Sequence, residues 1–92
     1  MASNKNGQLS AAELSQAALV TVGQLTGYRA EAVTGLEWDG EYWQVTVDAL
    51  EMARIPNTTD VLGSYVVQLD ERGTLRGYRR TRRFQRGHAG EE

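Results

Sequence analysis

Apolar residues in the first third of the chain recur at helical spacing. Leu14, Ala18, Val22 and Leu25 fall on one face of an α-helix, and Ala11, Ala17 and Val20 widen or flank that stripe. Ser10-Ala11-Ala12-Glu13 matches a capping box, in which Ser10 accepts the Glu13 amide and Glu13 reaches back to the Ser10 amide. Leu9 stands where a hydrophobic staple belongs, and Gly27 where a left-handed residue ends a helix. The pattern predicts a helix over Ala11–Thr26. Gly23 near its end costs roughly 1 kcal/mol against alanine, which suggests a close approach to a sheet.

Beyond Gly27 the period changes to two. Leu36 and Trp38 alternate with Gly35 and Glu37, and Asp39-Gly40 signals a type I′ hairpin. Trp43, Val45 and Val47 then alternate with Gln44, Thr46 and Asp48, as in a half-buried strand. Past Ala49 the apolar rhythm slips to Leu50 and Met52. Either a β-bulge lies near Asp48 to Leu50, or the far end of the strand is covered on its second face. Pro56 to Asp60 reads as a turn. Val61 to Leu69 reads as a strand, Asp70 to Gly73 as a second tight turn, and Thr74 to Phe84 as the last strand. Strict alternation puts Tyr78, Arg80, Arg82 and Phe84 on one face of it, and Leu75, Arg79 and Arg83 on the other.

Short turns join sequential antiparallel neighbours. The expected fold is therefore α+β, with an N-terminal helix packed on one face of a four-stranded antiparallel meander sheet. The expected core is Leu14, Ala18, Val22, Leu25, Leu36, Trp43, Val45, Val47, Tyr65, Val67 and Leu69. Residues 10–86 form one domain, residues 1–9 a disordered lead, and residues 87–92 a flexible tail.

The 92 residues suit a single modest core and leave no room for a second domain. The absence of cysteine excludes disulfides and thiolate metal sites. The longest apolar stretch, Ala17 to Val20, is far short of the roughly 20 residues of a membrane helix. The first eight residues lack the apolar core of a signal peptide, so the expected location is cytoplasmic.

Candidate chemistry is sparse. His88 is the only histidine and has no second ligand type beside it. Asp39, Glu41, Asp48 and Glu51 read as a solvated face more readily than as an acid–base pair. No phosphate-binding glycine motif is present. The chain is thus expected to be no enzyme and to take no cofactor or metal.

Charge distribution adds one feature. The net charge is −2, but every charged residue between Arg29 and Arg54 is acidic, and every charged residue from Arg72 to Arg86 is arginine. This asymmetry suggests self-association through opposite-charge halves, or an acidic partner. The candidate partner-binding residues are Arg76, Tyr78, Arg79, Arg80, Arg82, Arg83, Phe84 and Arg86. Arginine interleaved with aromatic residues suits a protein interface, a nucleic-acid-binding strand, or a charged edge that blocks aggregation. Overall acidity counts against nucleic acid.

Two segments resemble a known family. Arg54-Ile55-Pro56-Asn57-Thr58-Thr59-Asp60-Val61-Leu62, followed by Tyr65-Val66-Val67 and Leu69-Asp70, resembles the central signature of gas vesicle protein O. The ending Gly77-Tyr78-Arg79-Arg80-Thr81-Arg82-Arg83-Phe84-Gln85-Arg86-Gly87 resembles that family's arginine-rich motif, with Phe84 where tyrosine is more usual. The Leu25-Thr26-Gly27 helix end and Trp43 opening a long strand also match, and the likeness covers about Ala12 to Gly87. It implies a non-enzymatic accessory protein for gas vesicle assembly, acting by contact with other gas vesicle proteins and associated with the vesicle. The alternative is a nucleic-acid-binding regulator of gas vesicle gene expression that uses the same arginines. Neither expectation arises from periodicity or charge.

Overall fold

The computed structural model describes residues 8–88, and for His88 the backbone alone. Of the expected lead and tail, residues 1–7 and 89–92 lie outside the described residues. Helix α1 spans Ala11–Thr26, and strands β1 to β4 span Arg29–Trp38, Trp43–Met52, Val61–Leu69 and Leu75–Gln85. They form one antiparallel sheet in the order β1-β2-β3-β4, a plain meander with the helix on one face.

The helix begins and ends as its sequence dictates. The Glu13 N–H donates to Ser10 Oγ at 3.1 Å, and the Ser10 N–H donates to Glu13 Oε1 at 2.8 Å. Gly27 takes φ +76° and returns its N–H to the Gly23 carbonyl at 3.0 Å. Thr26 Oγ1 donates to the Val22 carbonyl and accepts the Tyr28 N–H, so the chain enters β1 after two residues. At the other end the Leu9 N–H donates to the Glu71 carbonyl at 2.8 Å, which anchors the start of the helix on the β3–β4 turn.

Leu14, Ala18 and Val22 from the helix meet Val45, Val47 and Ala49 from β2 and Tyr65, Val67 and Leu69 from β3 in one buried cluster. Ala30, Val33, Leu36, Trp43 and Leu75 flank it, partly buried. Leu25 does not join it. It lies in the last turn of the helix and is 43% exposed. Ala49 and Leu62 are buried instead. Ala49 continues the Val45–Val47 row, and Leu62 lies on the opposite face between its cross-strand neighbours Leu50 and Phe84. The slip past Ala49 therefore has both of its expected causes, displaced slightly. A bulge sits at Glu51, between Leu50 and Met52, and this end of the second face is covered.

The first hairpin differs from its expected form. Asp39 opens the turn instead of occupying a central position. Its N–H donates to the Tyr42 carbonyl at 3.0 Å, and its Oδ1 accepts the N–H groups of Glu41 and Tyr42. Gly40, at φ +100°, takes the left-handed backbone that favours glycine. These hydrogen bonds to the carboxylate, with one from Gln44 Nε2, hold the Asp39 carboxyl below the usual aspartate range. In the second turn Asp70 repeats the device by accepting from Arg72 and Thr74, and Gly73 takes φ +83°.

Gly23 is not required by packing. A methyl group added there would meet only the Tyr28 carbonyl oxygen, at an ordinary 3.7 Å. Gly23→Ala should therefore stabilise the protein by about 0.5–1 kcal/mol, through helix propensity alone. Urea unfolding of the variant against the parent measures this, and a loss of stability would show a constraint at the helix–sheet contact.

Candidate functional site

The arginine strand β4 is an edge strand, and the helix packs chiefly on β1, β2 and β3. Its side chains do not follow strict alternation. Extra residues at Arg76 and Thr81 shift the register against β3, and each shift moves the following side chains to the other face. Tyr78, Arg80 and Arg83 lie opposite Val67, Tyr65 and Gly63, on the helix side of the sheet. Arg79, Arg82 and Phe84 lie opposite Val66, Ser64 and Leu62, on the open side. The pairing expected from the sequence, with Phe84 and Arg82 beside Tyr78 and Arg80, is thus replaced by two separate groups.

On the helix side the arginines converge on one carboxylate. Glu51 projects from the bulge in β2 with its side chain 4% exposed. It accepts a hydrogen bond from the Tyr65 hydroxyl and another from Arg83 Nε at 3.1 Å, and Arg80 Nε lies 3.4 Å away. Burial, then the neighbouring Glu51, raises the Tyr65 phenol above its ordinary pKa, which keeps it a donor to the carboxylate. Gly63 lies on β3 opposite Ala49, and the absence of a side chain there leaves room for the Glu51 carboxylate. Glu51, read from the sequence as part of a solvated face, is the buried anchor of two arginines.

Arg86 forms a second clasp. Its Nη1 and Nη2 donate to both oxygens of Glu31 at 3.0 and 2.9 Å, and its Nε donates to Asp60 Oδ2 at 3.0 Å. Asp60 Oδ1 accepts the Arg54 N–H at 2.7 Å, and the Asp60 carbonyl accepts the Arg86 N–H at 2.8 Å. One side chain thus ties the end of β4 to β1 and to the β2–β3 connection. The Arg54 amide, then Arg86, holds the Asp60 carboxyl below its ordinary pKa, while Glu31 and Asp60 push the Arg86 guanidinium further upward. No local pattern announces this contact, because Glu31 and Arg86 are 55 positions apart.

None of the remaining arginines forms a close ion pair among the described residues, although the charges of Arg76 and Arg72 reach the Asp70 carboxylate. Arg82 lies over the Phe84 ring, 4.4 Å from its centroid, and Arg76 lies 5.9 Å from the centroid of Tyr42. Arg79 borders the open sheet face beside Thr46, Val66 and Gln68. Asp48, on the same face, accepts a hydrogen bond from the buried Ser64 hydroxyl at 2.7 Å. No cluster of His, Cys, Asp or Glu among the described residues could hold a metal ion, and no helix there is long and apolar enough to cross a membrane.

The two segments with family resemblance meet in space through Asp60 and Arg86. A family model described as gas vesicle synthesis protein GvpO matches residues 1–90. The chain belongs to this family. It is 44% identical over 72 residues to gas vesicle protein O of a Streptomyces species, strain CB03234, covering 78% of this chain and 56% of the relative. It is 33% identical over 70 residues to gas vesicle protein O of Haloferax mediterranei, covering 75% of this chain and 50% of the relative. It is 32% identical over 68 residues to gas vesicle protein O1 of Halobacterium salinarum, covering 74% and 57%. The chain therefore spans about half the length of these family members. No solved structure matches it. Family membership gives the chain a gas-vesicle-related role.

The two clasps make separate predictions. A methyl group at Gly63 would collide with the Glu51 carboxylate, which is held on three sides. Gly63→Ala should cost about 1–3 kcal/mol in urea unfolding, and Glu51→Ala should restore much of that loss. Asp60 has its folded pKa depressed, so its stabilising effect is complete at neutral pH and is lost as pH falls below its ordinary 3.8. The melting temperature of Asp60→Asn should lie below that of the parent at pH 7, and the gap should close in acid below that value. A gap independent of pH would show that the charge does not matter.

Proposed function

We propose that this protein is a non-enzymatic accessory factor for gas vesicle assembly, acting through protein–protein contacts made by β4. The arrangement of the arginines carries this reading. Arg80, Arg83 and Arg86 are held in place by Glu51, Glu31 and Asp60. Arg79 and Arg82, with Phe84 beneath Arg82, face outward on the open side of an edge strand. Fixed guanidinium groups beside aromatic rings suit a folded partner with acidic or aromatic groups, since arginine recognises these by planar geometry. Within this reading Arg76, Tyr78, Arg79, Arg82 and Phe84 make the contact, and Arg80, Arg83 and Arg86 shape the strand that presents them. The acting location is the cytoplasm, at the vesicle or its precursors, and the partners are other gas vesicle proteins.

Nucleic acid is the competing ligand. Charge supports it less than the sequence does, because three of the seven arginines from Arg72 to Arg86 are already paired with carboxylates. Fewer positive charges are left to displace counterions from phosphates.

Replacing Arg79 and Arg82 with lysine keeps the charge and removes the planar fork. In pull-downs from cells making gas vesicles, the double variant should recover at least about threefold less of the gas vesicle proteins captured by the parent. Binding to duplex DNA, measured at two salt concentrations, should be weak for both proteins. Unchanged capture, or tight salt-dependent DNA binding that survives the lysine exchange, would overturn the proposal.

A further inference from the structure

The outward face of the helix is not an ordinary solvent face. Leu14, Ala18 and Val22 turn to the core. At about 100° per residue, Gln16, Val20 and Gly23 therefore point away from the sheet, with Leu19 beside them. A surface helix normally carries charged groups on that side. Here no residue from Leu14 to Tyr28 is charged. Val20 is 47% exposed, and Gln16, Leu19, Val20 and Gly23 line an open recess of about 500 Å³ that is bounded by Arg29 and Ala30 of β1. Depletion of charge is the mark that separates the centre of a protein interface from the surface around it.

Gly23 adds a second, independent observation. It weakens the helix, yet nothing inside the protein fills the space where its side chain would stand. The bare backbone there is open to a group from outside.

The stripe is complementary to itself. Gln16 stands three residues before Leu19, and Gly23 three residues after Val20. Two such helices crossing antiparallel at Leu19 and Val20 bring Gln16 of each copy over Gly23 of the other, as a two-fold axis requires. Charge obeys the same symmetry. Glu13 lies at one end of the uncharged stretch, with Oε1 engaged by the Ser10 N–H, and Arg29 borders the recess at the other end. Arg29 forms no ion pair among the described residues, and the nearby Glu31 is held by Arg86. In an antiparallel pair each Glu13 comes beside Arg29 of the second copy.

We infer that the outward face of α1 is the contact surface for a second copy of this chain, with the two helices packed antiparallel about Leu19 and Val20. This inference goes beyond the β4 reading and uses none of its residues. The open side of β4 lies across the sheet from the helix, so the dimer presents that side twice and can hold its partner bivalently.

Sedimentation equilibrium of the full chain, from micromolar to millimolar concentration, tests the inference. The parent should pass from monomer to dimer and no further. Val20→Glu sets two carboxylates at the centre of the contact, and Arg29→Glu sets one beside Glu13 of the second copy. Each should weaken dimerisation at least about fivefold, by like-charge repulsion. Both positions are exposed, and circular dichroism confirms that each variant is folded. Glu13→Gln preserves the cap and should recover part of the loss in the Arg29→Glu background. Gly23→Ala should weaken the dimer while stabilising the monomer, a combination that a purely structural glycine does not give. Arg79→Lys with Arg82→Lys should dimerise as the parent does, whatever its effect on capture of other proteins. The inference is overturned if the chain stays monomeric throughout, if association continues past the dimer, or if Val20→Glu and Gly23→Ala both leave the dimer intact.

Discussion

One helix cannot dry the whole face of this sheet. Sixteen helical residues extend about 24 Å, whereas strands of nine to eleven residues run for about 30–36 Å. The helix is also placed toward β1 and β2, so β4 and the end of the sheet beyond Gly27 lack an apolar cover. Where hydrocarbon is lacking, ion pairs and hydrogen bonds take over. Glu51 sits beneath Arg80 and Arg83 of β4 and Asp60 beneath Arg86 just past its end, and each carboxylate has its oxygens supplied by several donors. Buried ion pairs add little net stability unless their remaining polar atoms are satisfied. Here both carboxylates meet that condition, and among the described residues no buried side-chain polar atom lacks a hydrogen bond.

These clasps change the meaning of the charge pattern. In one dimension the acidic middle and the arginine-rich end look like two halves of an intermolecular contact. In three dimensions they are partly each other's partners, since Glu31, Glu51 and Asp60 neutralise Arg80, Arg83 and Arg86 within one chain. What remains outward is a smaller and more ordered set of cations than the sequence suggests, and Arg79 shares its recess on the open face with Glu37 and Asp39 of the first hairpin.

Elements governed by local rules were legible in the sequence. The capping box, the glycine at φ +76° and the helical stripe gave the helix its limits, and period-two alternation gave all four strands and their order. The bulge in β2 showed as a slip in the apolar rhythm, but those in β4 were not legible, because an extra residue opposite a partner strand leaves no mark in the alternation of an arginine-rich segment. Every residue from Arg79 to Arg83 is polar, so hydrophobicity does not say which face it takes. That is why Phe84 was placed beside Tyr78 and not across the sheet from it. The burial of Glu51 and the contacts of Asp60 and Arg86 were not legible for a related reason. Their roles depend on residues 26 to 55 positions away, or across a strand whose register the sequence does not state. The family resemblance supplied what periodicity could not, and the structure explains why its two segments belong together.

The same bulges have a further consequence at the rims of the sheet. Both outer strands are broken twice, β1 at Glu31 and Thr34 and β4 at Arg76 and Thr81. A straight outer strand offers a row of free amides and carbonyls on which a foreign strand can zip, and twisted, interrupted rows do not. Other proteins are therefore turned away from the backbone and left to read side chains.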